Sequence, residues 1–186
     1  MNTQIVTGSI GALAQQGNKS IAETFINADV IVIVDTSGSM ASRDSRGGKS
    51  RYDVACEELA ELQKLMPGKI AVIGFSSHTE FYPGGIPVYQ GNSTAMDDAL
   101  KFIKVADAIP GMKFILISDG EPDEPQRTLS IAKTFQNKID VIFVGPENLP
   151  AGRDFLQRLA AATGGKSITA DRAKELAASV KQLLLS

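Results

Sequence analysis

Residues 31–40 read IVIVDTSGSM. Four β-branched residues pass directly into an aspartate, and Thr36, Ser37 and Ser39 follow with only Gly38 between the last two. An apolar run without polar alternation is the pattern of a strand buried on both faces, as in a parallel sheet covered by helices. This one ends in a cluster of hard oxygen atoms with no histidine, cysteine or lysine among them. The hydroxyls at 37 and 39 alternate along the chain, so both can turn toward one point. Gly38 lets the backbone bend tightly between them.

The rest of the chain keeps the same rhythm. Residues 51–66 place Tyr52, Ala55, Leu59, Leu62 and Met66 at helical spacing, and Pro67-Gly68 stops that helix. KIAVIGFSS is a second strand. TEFYP, bounded by Pro83, Gly84 and Gly85, reads as a short antiparallel edge strand. Further helices are expected over 95–104, 125–137, 152–162 and 171–184, the last capped by Asp171, and further strands at MKFILIS, IDVIFVG and KSIT. Residues 1–27 are polar and weakly patterned, with SIAETFI allowing a turn or two of helix. They read as an N-terminal extension, and 28–186 as one domain.

Strands alternating with amphipathic helices imply parallel crossovers. The expected fold is a doubly wound, Rossmann-like α/β sandwich of three layers. Its six-stranded sheet is mostly parallel, with one short antiparallel edge strand. Ligands of such sheets bind beyond the carboxyl ends of the strands, where strand order reverses. Two apolar strands end in aspartate, at Asp35 and Asp119. If those strands are neighbours, the two carboxylates share a crevice, and one must take a proton unless a cation lies between them. Oxygen donors of this kind suit Mg²⁺ or Mn²⁺, with Ca²⁺ also admissible, rather than zinc or copper.

Asp35-Thr36-Ser37-Gly38-Ser39 resembles the DxSxS signature of von Willebrand factor A domains, which opens their metal-ion-dependent adhesion site. GNSTAMDDAL resembles that family's second loop, with Thr94 before Ala99 and Leu100. ILISDGEPD resembles its third, with Asp119. The resemblance spans roughly residues 28–184. It implies that Ser37, Ser39 and Thr94 are hydroxyl ligands of a Mg²⁺ or Mn²⁺ ion, and that Asp35 and Asp119 hold metal-bound waters. It further implies that a partner protein's Asp or Glu carboxylate completes the shell, so that the domain is a binding module rather than an enzyme. Family precedent gives the C-terminal helix a role in transmitting the bound state, and gives intracellular relatives places in ATPase-associated or stress-response complexes. Two departures stand out: Asn92-Ser93 where a glycine is common, and a longer insert, ASRDSRGGKS, after the first motif.

Composition narrows the alternatives. A net charge of −2 gives no footprint for nucleic acid or a membrane surface. The basic residues Arg43, Arg46, Lys49 and Arg51 read as a solvated loop. No apolar run approaches the roughly 20 residues of a membrane helix, and no secretory leader is visible, so a cytoplasmic location is expected. The single cysteine, Cys56, falls on the helical pattern as a small core residue. GGKS at 47–50 lacks the upstream glycine of a phosphate loop, because position 43 is Arg. DTSGS lacks the second aspartate of an aspartyl-phosphate phosphatase. His78 reads as a surface residue, with no nucleophile elbow for it to serve. Glu121 and Asp123 read as a helix start favoured by the dipole, with contact to the metal region as the lesser reading. Two further functions remain open: a metal-dependent phosphate-ester hydrolase using the same oxygens, and a scaffold in which metal only stabilises the fold.

Overall fold

The computed structural model describes residues 5–44, 46–145 and 150–169. The helix expected over 171–184 lies outside them. Strands β1 (Val30–Asp35), β2 (Ile70–Phe75), β3 (Thr79–Phe81), β4 (Lys113–Ser118), β5 (Ile139–Phe143) and β6 (Ser167–Thr169) form one six-stranded sheet. The order is β3-β2-β1-β4-β5-β6. β3 runs antiparallel to β2 at the edge, and every other pairing is parallel. The chain therefore winds outward from β1 in one direction, then returns to start β4 on its other side. That reversal places the crevice between β1 and β4.

Alternate residues of the strands feed two cores. Ile31, Ile33, Ile73, Phe75, Phe114, Leu116 and Phe143 pack with α4 (Met96–Ile103), α5 (Pro125–Ala132) and α6 (Pro150–Thr163), through Leu100, Leu129, Phe155 and Leu156. Val30, Val32, Val34, Val72, Ile115 and Ile117 pack on the opposite face, where α3 (Arg51–Leu65) contributes Val54, Leu59 and Leu62. Each fully buried side chain of this size is worth about 1.5–3 kcal/mol, which is why the apolar runs hold the sheet so firmly at its centre. Cys56 is buried on α3, as its spacing predicts, and burial pushes its thiol up to about 12.

Helix α3 starts where the sequence lets it. Ser50 accepts from Asp53 N at 3.0 Å, and Asp53 reaches back to Ser50 N, a reciprocal cap. The helix expected over 125–137 ends earlier, at Ala132. The backbone N–H groups of Gln136 and Asn137 are taken by the buried Asp107 carboxylate at 2.9 and 2.8 Å, which draws the chain off the helical path. Phe135 still reaches the core, edge-on to Phe114.

The N-terminal segment forms α1 (Ile10–Gln16) and α2 (Ile21–Phe25), the latter with a Ser20–Glu23 capping box. Ile10 is 1% exposed and belongs to the larger core. Gly11 N donates to Pro83 O at 2.7 Å, and Gly68 N to Gly8 O at 2.8 Å, so the segment is tied to the turns after β3 and α3. Among the described residues no helix is long and apolar enough to cross a membrane.

Candidate metal centre

β1 and β4 are hydrogen-bonded neighbours in register Val34↔Ile117, so Asp35 and Asp119 leave the sheet side by side. Asp35 is 0% exposed and Asp119 7%. The Asp35 carboxylate has a donor on each oxygen: Ser37 N at 2.8 Å on Oδ1 and Ser118 Oγ at 2.6 Å on Oδ2. Its pKa is nevertheless raised to about 6, first by burial and then by the charge of Asp119. The two hydroxyls of the first loop converge as the alternation predicts. Ser37 Oγ and Ser39 Oγ lie 3.3 Å apart, and Ser39 Oγ donates to Asp119 Oδ1 at 2.7 Å.

Thr94 arrives on a loop that is tied to both of the others. Gly38 N donates to Asn92 O at 3.3 Å, and Gly91 N to Thr36 O at 3.0 Å. Ser76, buried just past β2, donates to Ser93 O at 2.8 Å and also to Gly91 O. Gly91 and Asn92 both have positive φ, 70° and 65°. Asparagine tolerates that region better than other side-chain-bearing residues, so Asn92 keeps the turn that a second glycine would make. On the far side the Asp123 carboxylate accepts from Thr94 N at 3.1 and 3.2 Å, and Asp123 N donates back to Thr94 O at 3.1 Å. Asp123 thus contacts the candidate site after all, by holding the threonine loop rather than by opening α5. No hydrogen bond among the described residues engages Thr94 Oγ1, and Thr94 is half-buried at the rim.

One expectation is overturned. Arg51 does not belong to a solvated basic loop: it is 6% exposed, against exposed Arg43 and Lys49. As the first residue of α3 it points into the crevice. Its Nη1 donates to Asp119 Oδ2 at 2.5 Å, while Nε and Nη2 grip Asp44 at 2.9 and 2.7 Å. Burial works against the guanidinium charge, but the hydrogen bonds to Asp44 and Asp119 more than offset it and push its pKa up. Arg51 N also donates to Ser42 O at 3.2 Å, so the insert is fastened to the end of β4. A sequence signal existed in the cap at Ser50, which puts residue 51 at the inner start of a helix. The charge run around it masked that signal.

His78 is exposed in the bend between β2 and β3, and Lys49 pairs with Glu57 on the surface. Neither approaches the crevice chemistry. Among the described residues no three His, Cys, Asp or Glu side chains converge as a metal-holding group. The candidate centre rests instead on hydroxyls supported by two carboxylates. That donor set is all hard oxygen, and its buried acidic pair lacks full neutralisation, which fits a Mg²⁺-type ion.

No protein-family model matches the chain, and no curated protein does. Solved structures do resemble it. One is an aerotolerance-related membrane protein from Bacteroides fragilis carrying multiple mutations to serine (TM-score 0.60, 17% identity, 85% of this chain and 98% of that one). Another is the conserved hypothetical protein BatB from Bacteroides thetaiotaomicron (0.57, 17%, 86% and 100%). A third is the ArnB paralog VWA2 from Sulfolobus acidocaldarius (0.61, 21%, 82%), of which the match covers 43%. At these identities the likeness concerns the fold, and the fold is that of von Willebrand factor A-like domains.

Proposed function

We propose that this domain is a non-enzymatic interaction module. In this reading it binds a partner protein's Asp or Glu carboxylate through a Mg²⁺ or Mn²⁺ ion held by Ser37, Ser39, Thr94, Asp35 and Asp119. The observation that carries the reading is the pair of serine hydroxyls converging beside two buried carboxylates at the strand reversal. The Ser39 hydroxyl donates to Asp119 and the Ser37 hydroxyl lies against it, and each oxygen keeps a lone pair for a cation. A divalent ion there would offset the charge of the two buried carboxylates and, because Mg²⁺ readily keeps exchangeable waters, offer a position for an outside carboxylate.

The chain's own part is to orient and to shield. Ser118 and the Ser37 amide fix the Asp35 oxygens, Arg51 fixes Asp119, and Asp123 fixes the threonine loop. Asp35 lies deep, whereas Ser39 and Thr94 form the accessible rim.

The test pairs Mn²⁺ binding, followed by electron paramagnetic resonance, with capture of partners from cell extract with and without chelator. Wild type is compared with Asp35→Ala. Saturable Mn²⁺ binding and chelator-sensitive capture, both lost in the variant, are the expected results. Equal capture by both proteins overturns the interaction role. Mg²⁺-dependent phosphate release from a phosphate monoester would move the assignment to a hydrolase.

A further inference from the structure

From the position of Arg51 we infer that it is the specificity-determining residue of this centre: by taking one oxygen of Asp119, it makes the site select small octahedral cations over Ca²⁺. The inference rests on the metal-binding reading above and adds the residue that sets its selectivity.

The geometry is that of a clamp. The guanidinium offers donors in a rigid planar fork. One branch engages Asp119 Oδ2, and the other two donors engage both oxygens of Asp44. The Asp119 side chain is 0% exposed and that of Arg51 7%, so their contact is shielded from water. Breaking it would leave a buried carboxylate without its cation, which is strongly unfavourable. Asp119 Oδ2 is therefore committed to Arg51, while Oδ1 lies on the Ser39 side, where it accepts from Ser39 Oγ.

Ca²⁺ collects six to eight oxygens in a loose shell and gains from carboxylates that bind through both oxygens. Mg²⁺ accepts six in a strict octahedron and keeps waters in the remainder. In this inference Asp119 reaches the ion directly rather than through a water, and an Asp119 confined to one oxygen suits the second and starves the first. The positive charge of Arg51 also weakens every divalent ion, but it acts equally on Mg²⁺ and Ca²⁺ and cancels in their ratio. The ratio therefore isolates the geometric effect.

The experiment measures dissociation constants for Mn²⁺ directly by paramagnetic resonance, and for Mg²⁺ and Ca²⁺ by competition against Mn²⁺. The proteins are wild type, Arg51→Gln and Arg51→Lys, each checked for folding by circular dichroism. Arg51→Lys keeps the charge without the fork and covers the case in which Arg51→Gln does not fold. Arg51→Gln is expected to tighten all three ions and to tighten Ca²⁺ most, shifting the Mg²⁺/Ca²⁺ preference about tenfold toward Ca²⁺. Arg51→Lys is expected to shift the same ratio in the same direction with little change in Mn²⁺ affinity. A wild type that binds one of the ions, with an unchanged ratio in both variants, overturns the role of Arg51 alone. A wild type that binds none of the three at millimolar concentration overturns the metal centre itself, and this inference with it.

Discussion

Ser118, the last residue of β4, donates its hydroxyl across to Asp35 Oδ2 at the end of β1, at 2.6 Å and in a fully buried setting. The same oxygen accepts from Gly120 N at 3.3 Å, so one hydroxyl supports the first carboxylate and the turn that carries the second. Removing it with Ser118→Ala leaves a buried carboxylate oxygen unpaired, which costs about 1–3 kcal/mol. Urea denaturation at pH 7.5 should show that loss. A ¹³C carboxyl titration should show Asp35 retaining its proton to higher pH than the wild-type value of about 6. An unchanged denaturation midpoint would mean that the hydroxyl contributes nothing.

Asp35 itself should oppose folding at neutral pH. Its pKa in the native state, about 6, lies above the ordinary 3.8 that the unfolded chain would show. Between those values the native state binds more protons, so stability falls as pH rises through the window. The contribution is full below the unfolded value and gone above about 6, a difference of roughly 3 kcal/mol. Asp35→Asn keeps an acceptor for Ser37 N and gives Ser118 Oγ a donor. In chelator it should therefore be more stable than wild type at pH 7.5, by roughly 1–3 kcal/mol, and similar at pH 4. Comparing the two proteins at both pH values removes the contribution of other carboxylates, such as Asp107, held low by Lys104 and by the Asn137 and Gln136 amides despite its burial. A wild type more stable than the variant at pH 7.5 would contradict the sign.

The strands were legible because continuous apolar runs admit few other readings. β1, β2 and β4 lie within residues of their expected bounds. The five candidate residues were named by pattern, and the loops that carry them do meet at one end of the sheet. That Asp35 and Asp119 are neighbours was implied by the family resemblance and not by the residues themselves. Strand order depends on which crossover passes over which face, and no local pattern records that. Arg51 was hidden for a different reason: in sequence its charge is one of several in a loop, and its burial is decided by carboxylates 7 residues before it and 68 after it. α1 was missed because its apolar face is made largely of alanine and glycine, which give little periodic signal.

Asp123 should matter to the centre more than to the fold. It is exposed, yet it is joined to the Thr94 backbone in both directions. Asp123→Ala is expected to lower stability by less than about 1 kcal/mol, since a solvent-exposed hydrogen bond is readily replaced by water. It should weaken Mn²⁺ binding by about tenfold, the usual order for residues that orient ligands without touching the ion. Thermal melts and Mn²⁺ titration of the same preparation separate the two effects. A large loss of stability with unchanged Mn²⁺ affinity would make Asp123 a structural residue only.

Gly152 lies in the first turn of α6, remote in sequence from all five candidate ligands, yet it packs on the turn that carries one of them. A Cβ added there would stand 2.8 Å from Gly120 Cα, 3.0 Å from Gly120 C and 3.3 Å from Asp119 O. All three are backbone atoms, which cannot swing away as a long side chain would. Gly152→Ala must therefore push α6 off the sheet or displace the Asp119–Gly120 turn. Overpacking of this kind costs about 1–3 kcal/mol, larger than the roughly 1 kcal/mol that alanine gains over glycine within a helix. If the turn yields, Asp119 leaves the reach of Ser39 and Arg51, and Mn²⁺ affinity falls together with stability. The comparison is Gly152→Ala against Ala161→Gly, a helix change on an exposed position of the same α6. Only the first is expected to reduce Mn²⁺ affinity, and equal affinity in both would show that the helix moves while the turn stays.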